Sequence, residues 1–113
     1  MTLEIIDAHT HWGPSLTLGT EVATIELLRQ AEESRVQRIV IFPFPSTAIE
    51  DERINDQVLE LGKNDGRFIP YYYIPEDLRP IPVEKNFYGG KWHWMRGVQD
   101  CSSNYQVLDD PRL

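Results

Sequence analysis

The apolar residues of this chain follow two kinds of pattern, short continuous runs and longer stretches spaced by three or four residues. Continuous apolar and β-branched runs are typical of strands that are buried on both faces. Four such strands are predicted, at residues 3–11, 37–42, 67–74 and 87–95. Residues 12–15 are expected to end the first strand, and two prolines at 43 and 45 stop the second.

Helical spacing occupies the two gaps between the first three strands. A helix is predicted over residues 21–34, after an N-cap at Thr20. A second helix is expected to follow a cap at Ser46 or Thr47 and to end at the glycine of residues 64–66. Residues 77–85 contain two prolines and are predicted to be irregular.

This alternation of strands and helices predicts parallel strands joined by right-handed crossovers, and therefore an α/β fold. An open, flavodoxin-like sheet and a closed barrel both satisfy the pattern. The position of the chemically active residues is what separates these two architectures.

The composition of the chain limits the classes of molecule that are expected to bind it. The chain has 113 residues, which suits a single domain, and a formal net charge of -7. Its eleven lysines and arginines form no basic stripe, so neither nucleic acid nor an anionic membrane is an expected partner. Cys101 is the only cysteine and no apolar run approaches a membrane span, so a cytoplasmic protein without disulfides is expected.

Three polar residues near the end of the first strand carry the main candidate chemistry. Asp7, His9 and His11 are spaced by two, so on a regular strand their side chains project from one face. Two imidazoles in that position can bind one ion, and His9 and His11 are therefore the predicted metal ligands. Asp7 is expected to be an orienting or structural carboxylate. In a barrel, this end of the strand lies at the rim where barrel enzymes have their active sites.

Residues 6–13, with the sequence IDAHTHWG, resemble the strand-one signature of the amidohydrolase superfamily. The resemblance is closest to the amidohydrolase-related group that includes aminocarboxymuconate semialdehyde decarboxylase. Three later segments agree with that group: a helix containing Asn55 followed by residues 66–70, the GGKWH run at residues 89–93, and residues 109–113. The resemblance implies that residues 1–113 form the N-terminal half of a (β/α)8 TIM barrel, roughly its first four strands.

The resemblance also implies a function. A divalent metal, with zinc as the expected ion, would serve hydrolysis of a C–N or C–O bond in a small carbonyl substrate. Decarboxylation on the same scaffold and a non-catalytic binding fragment are the alternatives. Lys91 and His93, on the predicted fourth strand, are candidate catalytic residues, and in some members a strand-four lysine is carboxylated. Members of the family take a third histidine from strand five and an aspartate from strand eight, and this chain has neither strand.

Four strands cannot close an eight-stranded barrel, so the open interior requires cover. Three arrangements are left open: part of a longer enzyme, a homo-oligomer of two half barrels, and a fragment that only binds a partner or a metal. The first is favoured, because the sequence stops where related proteins would begin their fourth helix.

Overall fold

The computed structural model describes residues 3–93, 95–96, 104–105 and 111, and it shows an α/β fold. The elements in chain order are β1 (Ile6–Ser15), β2 (Thr20–Val22), α1 (Thr24–Glu33), β3 (Arg38–Pro43), α2 (Pro45–Glu50), α3 (Ile54–Asn64), β4 (Phe68–Tyr73), a 3₁₀ turn (Val83–Lys85), β5 (Gly89–Lys91), β6 (Met95–Arg96) and β7 (Asn104–Tyr105). None of the helices in these ranges is long and apolar enough to cross a membrane.

Five strands form a mixed sheet in the order β2-β1-β3-β4-β5. The strands β1, β3, β4 and β5 are parallel, as the alternating sequence pattern predicted, and β2 pairs antiparallel with the end of β1. Each new parallel strand therefore lies beside the one that precedes it, and the sheet grows in one direction from β1. β6 and β7 form a separate antiparallel pair.

Helices α1 and α3 pack against one face of this sheet. Leu27 and Ala31, four residues apart on α1, are buried in one cluster with Val58 of α3. The sheet contributes Ile39, Ile41 and Phe68 to the same cluster. Because alternate residues of a strand point to opposite faces, the intervening side chains of β3 must point away from the helices.

The second face of the sheet has its own apolar cluster. Val40 and Phe42 of β3 are buried together with Ile69 of β4, and Tyr71 packs against them. None of the residues in this cluster belongs to a helix. We call this side of the sheet the open face, and the other side the helix face.

The predicted boundary of the first strand was wrong. β1 continues to Ser15, and residues Gly13–Ser15 pair with Thr20–Val22 in a hairpin. The turn is closed by a hydrogen bond from the Gly19 N–H to the Ser15 carbonyl (3.0 Å), and Gly19 has a φ of 64°, which glycine adopts without strain. Thr20 is consequently a strand residue and not a helix cap, and α1 begins at Thr24.

The second predicted helix is divided into α2 and α3. Pro45 starts α2, for which its fixed φ is suited, and Phe44 holds the N-cap position. Ser46 and Thr47 are therefore not caps. The Ser46 hydroxyl accepts the N–H of Leu16 (3.1 Å), and the Thr47 hydroxyl donates to the carbonyl of Pro14, so both hold the hairpin against α2.

The C-terminal part of the prediction was correct only in outline. Residues 77–85 are irregular apart from one 3₁₀ turn, as predicted, but the fourth parallel strand covers only Gly89–Lys91 instead of residues 87–95. Cys101 and, apart from position 111, the segment 109–113 lie outside the described residues.

Candidate metal centre

A bulge in β1 sets the direction of the residues in the predicted site. Asp7 pairs with Ile39 and Thr10 pairs with Ile41, so two residues of β1 lie opposite Val40 alone. The additional residue reverses the alternation of side chains across the bulge. The expectation that Asp7 shares a face with His9 and His11 was therefore wrong.

Asp7 lies on the helix face, where it lines a cavity of about 140 Å³ with Thr10, Leu27 and Ala31. Its carboxylate oxygen Oδ1 accepts a hydrogen bond from the backbone N–H of His9 (3.0 Å). This bond fixes the backbone within the bulge, in agreement with the structural role predicted for Asp7.

His9 and His11 lie together on the open face. Their ring centroids are 5.3 Å apart, with an angle of 70° between the ring planes. Both rings meet the edge or face of Phe42, at centroid distances of 5.1 Å for His9 and 5.0 Å for His11. His11 also stacks on Phe44 (4.7 Å, 14°), so aromatic contacts restrain both imidazoles.

Phe42 and Phe44 are the site residues that sequence reasoning missed, since the segment was interpreted only as the end of a strand. A signal was present, because Phe42 alternates with Val40 and must share its face. Its pairing with His11 depends on the register of β1 and β3, which the sequence does not show.

Lys91, one of the two candidate catalytic residues, reaches the same cluster from the other end of the sheet. It pairs with Tyr73 at the end of β5, and its ammonium nitrogen lies 5.1 Å from the centroid of the Phe42 ring. The side chain is half-buried, and this desolvation lowers the pKa of Lys91 from 10.5. Within the described part of the chain, no carboxylate lies within ion-pair distance of Lys91.

The pKa of His9 reflects the titratable groups that lie near its ring. His9 is an exposed residue, and the partial desolvation of its ring together with the coulombic effects of Lys91 and His93 lowers its pKa from 6.5, while Asp7 opposes the shift. The lowered pKa favours the neutral form of His9, which is the form in which imidazole binds a metal. The structure thus brings His9, His11 and Lys91 together, and places His93 near enough to affect the charge of His9.

The separation of the two histidine rings can be compared with that expected for two ligands of one divalent ion. Zinc lies roughly 2.0–2.1 Å from a ligating imidazole nitrogen, so two rings on one tetrahedral ion have centroids about 5 Å apart. The observed separation of 5.3 Å agrees with this value. Among residues 3–93 there is no cluster of three or more histidine, cysteine, aspartate or glutamate side chains arranged to bind a metal.

Comparisons of the chain with protein-family models, with curated proteins and with solved structures find no match. The interpretation of the site therefore depends on its own geometry and on the motif that contains the histidine pair.

Proposed function

We propose that this chain provides the first four parallel strands of a (β/α)8 barrel. Two features of the sheet support a barrel over a flavodoxin-like sheet. The parallel strands follow one another in chain order, whereas doubly wound sheets reverse direction at a switch point. Helices α1 and α3 also share one face, and the open face corresponds to a barrel interior.

Within this architecture, the chain is proposed to carry two metal ligands of an amidohydrolase-type hydrolase that cleaves a C–N or C–O bond in a small carbonyl substrate. The observation that carries the proposal is the meeting of His9 and His11 over Phe42 on the open face. A bound divalent ion, with zinc as the expected metal, would supply Lewis-acid polarisation of the substrate carbonyl.

The residues around the pair have separate tasks in this proposal. His9 and His11 bind the ion as neutral imidazoles, and the Phe42 and Phe44 rings hold them in orientation and exclude water from one side. Lys91 supplies a positive charge beside the pair, and His93 is the candidate for proton transfer to or from the substrate.

Decarboxylation on the same scaffold is the second candidate, as the family resemblance implies. The observation that favours it is the ammonium group of Lys91 near the histidine pair, where it can attract a carboxylate.

The test is the metal content of the purified chain, measured by plasma mass spectrometry together with the mass in solution by light scattering. We expect about one divalent ion per site, and its loss in the variant His9→Ala/His11→Ala. His93→Ala, made in parallel, determines whether the remaining histidine also contributes to binding, and circular dichroism confirms that each variant is folded.

Zinc binding that is equal in the double variant and in the intact chain would contradict the assignment of the ligands. A folded chain that takes up no divalent ion would mean that these four strands alone do not form the metal centre, and that its function must be sought in the second half of the barrel or in a partner. Light scattering also shows whether two copies associate, as the homo-oligomeric arrangement requires.

A further inference from the structure

Lys91 shares the lack of an ion pair with Arg35, Arg38 and Lys63 among the described basic residues, but its ammonium group lies over the Phe42 ring beside the histidine pair. Five of the described basic residues lie within ion-pair distance of a carboxylate, and 43% to 83% of their side-chain area is exposed: Arg29, Arg53, Arg67, Arg79 and Lys85. Lys91 is more buried than Lys85, and no carboxylate of the described residues accompanies it.

This arrangement does not come from a shortage of acidic residues. The chain has 18 aspartates and glutamates against 11 lysines and arginines, so carboxylates are in excess. A partly desolvated ammonium group without an anion has lost hydration that no ion pair replaces. Its contact with the Phe42 ring, 5.1 Å from Nζ to the ring centroid, is the compensating interaction among the described residues.

The position of the ammonium group connects it to the proposed metal ligands. Lys91 Nζ, the His9 ring and the His11 ring all lie about 5 Å from the same Phe42 ring. The three groups are therefore neighbours of one ring, and Lys91 is close enough to His9 for its charge to lower the pKa of that histidine. Tyr71 extends the apolar surface beside this cluster, where its ring passes over Gly89.

We propose that Lys91 binds a carboxylate group of the substrate and so selects small carbonyl compounds that also carry an acid group. The identification of this anion as substrate rests on the proposed function, for either hydrolysis or decarboxylation. The anion site itself depends only on Lys91 and its surroundings, so it can be measured without metal.

The experiment compares propionate with propionamide, which has nearly the same shape but no charge. Binding to the full chain is followed by backbone amide NMR shifts of residues 89–91, at low ionic strength, in metal-free and zinc-loaded samples. The variants are Lys91→Met, Lys91→Arg and the control Lys85→Met, which removes an exposed lysine that is already paired with Asp56.

We expect propionate to bind the intact chain and Lys85→Met with the same Kd, and Lys91→Met at least about tenfold more weakly. Lys91→Arg, which retains the charge, should recover most of the binding, and propionamide should not distinguish the variants. Equal propionate affinity of Lys91→Met and Lys85→Met would overturn the proposal.

The metal-free sample separates the two proposals. Propionate binding that depends on Lys91 in a chain that takes up no metal would support the anion site and contradict metal binding by this chain alone. A chain that loads zinc but binds propionate independently of Lys91 would contradict only the carboxylate recognition.

Discussion

Asn55 is a buried polar side chain that fastens α3 to the end of β4. It is 2% exposed, its Oδ1 accepts the Tyr73 N–H at 2.7 Å, and its Nδ2 donates to the Tyr73 carbonyl at 3.4 Å. Tyr73 is also the residue that pairs with Lys91. The amide of Asn55 therefore supports the strand end from which Lys91 reaches the candidate site.

Replacement of Asn55 by Ala should lower the free energy of unfolding by about 2–3 kcal/mol. The shorter hydrogen bond dominates this value, because a buried N–H without an acceptor costs about 1–3 kcal/mol, and the longer bond adds a smaller amount. Urea denaturation measures the change. The NMR signal of the Lys91 amide should shift in the same variant, since its paired residue loses a fixed position.

Asn64→Ala is the matched control, because Asn64 is at the exposed end of the same helix. We expect its effect to stay within about 0.5 kcal/mol. If the two variants have the same stability within that margin, the hydrogen bonds of Asn55 do not hold β4 in the manner inferred.

Two further predictions concern the site. Partial desolvation and the charge of Lys91 lower the pKa of His9 below 6.5, so the unfolded chain binds that proton more tightly and stability should fall as the pH decreases below about 6.5. His9→Gln should remove this part of the pH dependence, and a pKa at or above 6.5 in an NMR titration of the metal-free chain would contradict it. Gly89→Ala should cost about 1–3 kcal/mol, because its Cβ would lie 2.8 Å from Cζ of Tyr71. Gly66→Ala, whose Cβ meets nothing within 4 Å, should be nearly neutral, and equal denaturation midpoints for the two alanine variants would refute the crowding argument.

The parallel part of the sheet could be predicted because burial on both faces leaves a continuous apolar run. Ile39, Val40, Ile41 and Phe42 alternate between the helix face and the open face, and both faces are apolar. The spacing of apolar residues on α1 was equally informative, since Leu27 and Ala31 need only one buried side. These signals are local, and each follows from the geometry of one element.

The hairpin at the end of β1 could not be predicted in the same way. Gly13 and Pro14 individually favour the end of a strand. Hydrogen bonds between the hairpin and two residues of α2, Ser46 and Thr47, nevertheless hold it in place. Gly13 has a φ of 85°, which glycine adopts without strain, and β1 continues beyond it to Ser15. Such tertiary contacts override local preference.

The candidate site was predictable only in part. The spacing of His9 and His11 indicated a pair on one face, which the ring contacts agree with. The meeting of that pair with Phe42 and Lys91 depends on the register of strands that are separated by 30 to 80 residues along the chain. No periodicity within one strand contains that information.

Because of the bulge in β1, a side chain on the helix face accepts a hydrogen bond from the backbone of a residue whose own side chain lies on the open face. Asp7 is on the side of α1, yet its carboxylate holds the backbone of His9, whose ring points the opposite way. Leu27 lines the same cavity as Asp7, so a change of side-chain volume at Leu27 alters the surroundings of that carboxylate. The surroundings of His9 therefore include a carboxylate of the helix face as well as the Phe42 ring of the open face.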